Sequence, residues 1–175
     1  MRGGRCMVSL LAEGGNNKVV ALSKDRVAKL FPLDEKELAI KEYETLHIAN
    51  SINTLLPQVY KLEETKENCR LVMERLTVIQ LRNFSCKERE DMTVMLHLQL
   101  EELHSSGLAH WDISRMADLP GERWDNVIPT VMKGVPCIRL IDMGNSKLAG
   151  HRLFERAVRD DRRDIENYTE YFLNI

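Results

Sequence analysis

The apolar residues of this chain change their spacing partway along it, and that change limits the fold more than any single motif. Early in the chain they form short runs, Val8–Ala12, Lys18–Leu22 and Arg26–Phe31, broken by Gly-Gly-Asn-Asn and Ser-Lys-Asp. Such punctuation predicts an antiparallel meander of three strands. A helix is then expected from Asp34 to about Asn50, with Pro32 just upstream and Glu37 at the offset of a capping box. Two further strands, Gln58–Leu62 and Cys69–Glu74, flank the polar turn Glu63–Asn68. Beyond them the period becomes helical. Ser85-x-x-Glu88 is a second capping box, followed by Met92, Leu96, Leu100 and Leu103 at helical spacing until Gly107 supplies a stop. After a polar stretch, Arg115–Trp124, the runs Val127–Met132 and Cys137–Ile141 flank Lys133-Gly134 and predict a hairpin. The charged remainder from Gly150 to Ile175 reads as a helix capped near Asp160 or Asp161. Strands first and helices second argue an α+β fold, with residues 1–76 expected as a strand-rich lobe and 77–175 as a reduced helical lobe.

Bulk properties remove several function classes. The 175 residues carry 25 basic and 27 acidic side chains, interspersed, for a formal charge of -2. Nothing in that balance is a footprint for nucleic acid or an anionic membrane. The four cysteines are scattered, without C-x-x-C pairs or histidines at metal-ligand spacing, and read as free thiols in a reducing compartment. The apolar stretch Met7–Ala12 is too short for a cleavable signal, and no run reaches the roughly 20 apolar residues of a membrane span. A cytoplasmic protein without a membrane span is expected.

The candidate chemistry lies in carboxylates, an amide and one lysine. Asp112 follows a helix and the segment Gly107–His110, and Asp142 ends the apolar run Cys137–Ile141 just before Gly144. Together with Asn126 they offer hard oxygen ligands for Mg²⁺. An aspartate in such a place, taken alone, is more often a turn former. Lys29 sits in an apolar strand, where a lysine is costly to bury without a partner. Glu42 shares a helix face with Ala39, Leu46 and Ala49, whereas Glu44 points away from it. Lys29 and Glu42 are therefore either a buried pair or two separate surface groups.

In order, the chain carries a glycine turn between two strands, Lys29 in the third strand and Glu42 in the next helix. His110-x-Asp112 then follows a long helix, ahead of Asp125-Asn126 and Asp142-x-Gly144 at a strand end. This order resembles the protein-kinase family from about Ser9 to Phe172. The resemblance implies a bilobal kinase-like fold with a truncated C-terminal lobe and an ATP-dependent Ser/Thr kinase using Mg²⁺ or Mn²⁺. Gly14 and Gly15 are then the phosphate-covering loop, and Lys29, held by Glu42, contacts the α- and β-phosphates. Met73 is the gatekeeper, with Glu74 to Leu76 as the adenine-binding hinge. Asp112 takes the proton of the substrate hydroxyl, and Asn126 and Asp142 hold the metal. Asp164 is the helix aspartate that anchors the catalytic loop, and His110 braces that loop.

The departures are equally specific. Trp111 replaces the arginine that in regulated kinases receives a phosphorylated loop, which implies activity without loop phosphorylation. Ser114 stands where Ser/Thr kinases carry lysine. The stretch between Asp112 and Asn126 exceeds the family's tight loop, so either it bulges outward with Asn126 returning to the metal, the reading preferred here, or a residue such as Asp118 substitutes. The chain ends soon after Asp164, as in minimal kinases that bacterial pathogens inject into host cells and in some viral ones. The implied partners are ATP and a protein substrate or host protein. A pseudokinase binding module and a small-molecule phosphotransferase are the competing functions.

Overall fold

The computed structural model describes residues 10–14, 17–114 and 124–175. The fold is α+β and divides into two compact units, Met1–Glu44 with Gln58–Arg75 and Thr45–Pro57 with Leu76–Ile175.

The first unit is built on an antiparallel five-stranded sheet in the order β1-β2-β3-β5-β4. Its strands are β1 (Leu10–Gly14), β2 (Asn17–Ala21), β3 (Arg26–Pro32), β4 (Val59–Glu64) and β5 (Asn68–Glu74). The first strand ends at Gly14, two residues past the expected Ala12, and Val8 lies outside the described residues. Strand β3 is central, pairing with β2 on one side and with β5 on the other, and Val27, Ala28, Lys29 and Phe31 are all buried on it. A fully bonded central strand is where β-branched and aromatic side chains are packed best.

Helix α1 (Lys36–Ile52) follows a 3-10 turn, Leu33–Glu35, so the helix proper begins two residues after the expected Asp34 start. It buries Ala39, Glu42, Thr45, Leu46 and Ala49 and leaves Glu44 exposed. That is the stripe expected from the 3.6-residue period.

In the second unit, α2 (Cys86–Ser105) opens on the expected capping box: Ser85 accepts from the Glu88 amide while the Glu88 carboxylate accepts from the Ser85 amide. Met92, Leu96, Leu100 and Leu103 are buried along one face. Each burial stabilises by about 1.5–3 kcal/mol. The helix stops at Gly107, whose φ of 84° suits no other residue well. A Cβ there would also lie 2.9 Å from that of Ala149. The chain then enters β6 (Leu108–Ala109), which pairs with β9 (Lys147–Leu148).

Strands β7 (Val127–Met132) and β8 (Val135–Leu140) form the expected hairpin. Lys133 and Gly134 have φ of 52° and 84°, the signature of a type I′ turn that matches strand twist. Buried Arg139 donates to the Leu56 carbonyl at 2.5 Å, and the Leu140 amide donates to the Leu55 carbonyl at 2.9 Å, tying β8 to the end of the α1 segment.

The last helix, α3 (Phe154–Leu173), corrects one expectation. It begins at Phe154, not near Asp160 or Asp161, so those aspartates lie inside the helix. Ala157 and Val158 provide the reason, because both are buried against Ala109 with Trp111 and Phe154 around them. An apolar face worth burying extends the helix toward its N-terminus past the acids that looked like caps. Among the described residues no helix is long and apolar enough to cross a membrane.

Candidate functional site

In the first unit, Lys29 on β3 and Glu42 on α1 form a buried pair. The Lys29 ammonium donates to Glu42 Oε2 at 2.8 Å and Oε1 at 3.0 Å, and it lies 5.3 Å from the centre of the Phe31 ring. Lys29 is 8% exposed and Glu42 3%. At that burial neither charge is tolerable without an opposite one, so the alternative of two separate surface groups does not hold.

Gly14, Met73 and Glu74, the other nucleotide-site candidates described in this unit, occupy sheet positions. Gly14 ends β1 opposite Asn17, and Gly15 lies outside the described residues, as does Asp118. Half-buried Met73 pairs with Val27 and Val59. The Glu74 amide donates to the Gln58 carbonyl at 2.8 Å, and its carboxylate accepts from the Gln58 amide at 3.1 Å. Leu76, the first residue of the second unit in this stretch, is half-buried in the irregular segment after β5.

In the second unit the loop carrying Asp112 is held from below by one aspartate. Asp161, 1% exposed, accepts from the His110 amide at 2.7 Å, from the Trp111 amide at 2.7 Å and from His104 Nε2 at 3.0 Å. Three donors on one buried carboxylate are short, charge-assisted bonds. This role was expected of Asp164. Asp164 is buried one turn further along α3 and accepts instead from the guanidinium of Arg163. Because α3 starts at Phe154, Asp161 is the residue on the turn that faces the loop.

His110 then joins the loop to the strand end. Its Nδ1 accepts from the Asp112 amide at 3.2 Å and its Nε2 lies 2.9 Å from the Ile141 carbonyl. One acceptor and one donor on the ring match the neutral Nε2–H tautomer.

Asn126 makes the second link. Its amide nitrogen donates to the Asp112 carbonyl at 2.7 Å, while its own backbone carbonyl accepts from the Ile141 amide at 3.0 Å. Asp112, Asn126 and Asp142, far apart in sequence, are thereby brought together. The Asn126 side chain commits its nitrogen to this bond, which leaves its oxygen as the donor atom for a cation.

Strain concentrates here. Trp111 and Asp142, a tryptophan beside one carboxylate and the second carboxylate itself, have φ of 59° and 65°. A non-glycine residue in the left-handed region costs about 1–3 kcal/mol and persists only where its surroundings enforce it. Trp111 is enforced by its amide on Asp161, by its indole N–H on Asp160 at 3.1 Å and by the Lys147 ammonium 4.3 Å above its ring. The Asp142 carboxylate accepts from the Gly144 amide at 3.3 Å. A Cβ at Gly144 would stand 3.3 Å from that same oxygen, tighter than ordinary contact.

Two residues of this cluster carry roles that their sequence context does not announce. Asp161 reads from sequence only as a possible helix cap. Asn145 donates its amide to Asp112 Oδ2 at 3.0 Å. Adjacency to the D-x-G tripeptide was its sole signal. Trp124 packs edge-on against Tyr168, with ring centres 5.4 Å apart. Tyr168 is buried so deeply that its hydroxyl is held far above the usual phenol range.

Asn126 and Asp142 offer the hard oxygen ligands that suit Mg²⁺, which ordinarily takes one or two carboxylates and completes its shell with water and phosphate oxygens. Among the described residues no group of three or more His, Cys, Asp or Glu converges on a metal position. Any metal here depends on that sparse set. No family model and no curated protein matches this chain.

Proposed function

We propose that this chain is an ATP-dependent phosphotransferase with a protein-kinase-like fold, acting on a Ser or Thr hydroxyl of a protein. The observation that carries the reading is the pair of links made by Asn126, which draw Asp112 and the strand end bearing Asp142 to one place. Turn formers have no reason to be gathered in this way, whereas phosphoryl transfer needs a base and metal ligands held side by side.

Each residue has a role that its chemistry permits. Asp112 orients the substrate hydroxyl and takes its proton as the oxygen attacks the γ-phosphorus. The bond from that phosphorus to the bridging oxygen of ADP breaks as the new one forms, and the displaced electron pair stays on ADP. Asn126 and Asp142 would hold Mg²⁺, which when bound neutralises charge on the phosphate oxygens. By the family resemblance Lys29 is the cation for the α- and β-phosphates, and Glu42 holds its ammonium within the first unit. Asn145 presents one oxygen of Asp112 by holding the other. Asp161 and His110 keep the loop in its strained conformation, so no reorganisation is needed at the moment of transfer.

The test is phosphate transfer from labelled ATP with Mg²⁺ to a cell lysate by the wild-type protein, with Asp112→Ala and Asp142→Ala beside it. Labelled proteins should appear with the wild type and fall by about 10²-fold or more in both variants. Labelling that is absent, or identical in all three, sinks the phosphotransferase reading and leaves a binding module.

A further inference from the structure

The chain is slightly acidic overall, yet one face near the candidate catalytic loop is basic. On α3, Arg156, Arg159 and Arg163 fall within about 60° of one another by the helical period, and Arg152 precedes the helix in the adjoining turn. All four are exposed. Arg156 and Arg163 flank Asp160 at 3.6 Å and 3.1 Å, and Asp160 accepts from the indole of Trp111, the residue before Asp112. The stripe is thus joined by a chain of contacts to the residue next to the proposed base.

Helix pairing accounts for Arg156 and Arg163, which bracket Asp160 at i,i+4 and i,i+3 spacing, but not for Arg152 and Arg159. Cations are disfavoured at a helix N-terminus, where the macrodipole is positive. Here Arg152 and Arg156 stand at that end, and the N-cap residue Leu153 offers no side-chain acceptor to the first-turn amides. Arg152 and Arg159 have no carboxylate within ion-pair distance among the described residues, and Glu155 is the acid nearest to them in sequence. Arg162 lies off the stripe in a two-pronged pair with Glu101 at 2.6 Å and 2.7 Å, and Arg163 on the stripe also donates to Asp164 at 3.1 Å. The guanidinium groups of the stripe are planar forks suited to carboxylates and phosphates.

We infer that Arg152, Arg156, Arg159 and Arg163 form the substrate-docking surface of this protein and select an acidic peptide segment around the phosphoacceptor hydroxyl. The inference rests on the phosphotransferase reading and names its substrate class. Aspartate, glutamate or phosphorylated side chains flanking the acceptor meet the arginines while the hydroxyl reaches Asp112. Lys147, drawn over Trp111 and bonded to the Asn145 carbonyl, adds a cation on the β9 side of the same loop.

Binding is measured first without ATP, by fluorescence anisotropy of the full chain with a synthetic peptide whose single serine is flanked by Asp and Glu. A peptide with Lys at those positions, an RNA oligonucleotide and vesicles of anionic lipid serve as comparisons. The acidic peptide should bind, weaken with added salt, and lose about tenfold in affinity with Arg152→Glu/Arg159→Glu, while Arg152→Lys/Arg159→Lys retains most of it. With Mg²⁺ and ATP, the charge-reversed protein should raise KM for the acidic peptide about tenfold and leave kcat unchanged. Equal binding of the acidic and lysine peptides, undiminished binding by the charge-reversed protein, or preference for RNA or vesicles overturns the inference. If the acidic peptide binds through the arginines but the wild type phosphorylates neither it nor any lysate protein, the phosphotransferase reading fails, and the substrate role fails with it.

Discussion

Removing the Glu42 carboxylate tests the buried Lys29–Glu42 ion pair of the strand-rich unit. In Glu42→Ala, a lysine that is 8% exposed loses two bonds of 2.8 Å and 3.0 Å. Lys29 cannot escape to water without leaving the centre of β3, where its strand is bonded on both edges. Breaking a buried pair from one side costs about 3–5 kcal/mol. For a chain of this size each kcal/mol lowers Tm by about 2–4 °C, so the loss should be about 6–20 °C. Lys29→Met should cost a comparable amount, because it removes the ammonium from which both oxygens of this buried carboxylate accept. The double variant Lys29→Met/Glu42→Leu replaces both charges with apolar groups of similar length and should recover most of the loss. The assay is urea and thermal unfolding followed by circular dichroism, read as a double-mutant cycle. Single-variant losses below about 1 kcal/mol, or losses that simply add in the double variant, would refute the claim that the two charges are held for each other.

Three further outcomes follow from the second unit. Asp161→Asn places an amide among donors that now share a carboxylate; it should destabilise by about 3 kcal/mol and, on the phosphotransferase reading, depress kcat, and an unchanged unfolding curve would contradict the anchoring role. Asn145→Ala should lower kcat about tenfold, the worth of one hydrogen bond, with KM for ATP unmoved; unaltered steady-state kinetics would show the bond to Asp112 to be idle. Glu101 is held below the ordinary 4.5 of a glutamate, chiefly by its hydrogen bonds to Arg162. A depressed folded value means that its contribution is present above pH 4.5 and is lost as pH falls through that folded value. The pair is about half exposed, so the stability gap between wild type and Glu101→Gln should be under about 1 kcal/mol at pH 7 and close in acid; a gap independent of pH would exclude the pair as its source.

The links that position the candidate site were harder to read than its residues. Strand polarity and helix period make Lys29 and Glu42 candidates for a pair but leave two separate surface groups open; the resemblance favours the pair, and its burial decides it. Asn126 could be named from its place before β7, but its bond to the Asp112 carbonyl depends on where the chain re-enters after residues 115–123. The anchoring aspartate was placed one turn too far along because the acids of α3 look like caps. Only the burial of Ala157 and Val158 against Ala109 moves the start of the helix back to Phe154.

The sequence by itself determined the features set by neighbours in the chain. These are the α+β order of elements, the Ser85–Glu88 box, the stop at Gly107, the Lys133-Gly134 turn and the buried stripe of α1. Each follows from dihedral preference or side-chain period over a few residues, which needs no knowledge of distant contacts. Tertiary structure alone decided that Asp161 carries the loop, that Asn145 holds Asp112, and that Trp111 and Asp142 are kept in left-handed conformations. Those outcomes are set by which buried donors meet which acceptors once the elements have packed. Local residue types constrain such meetings only weakly, because many polar side chains could have served.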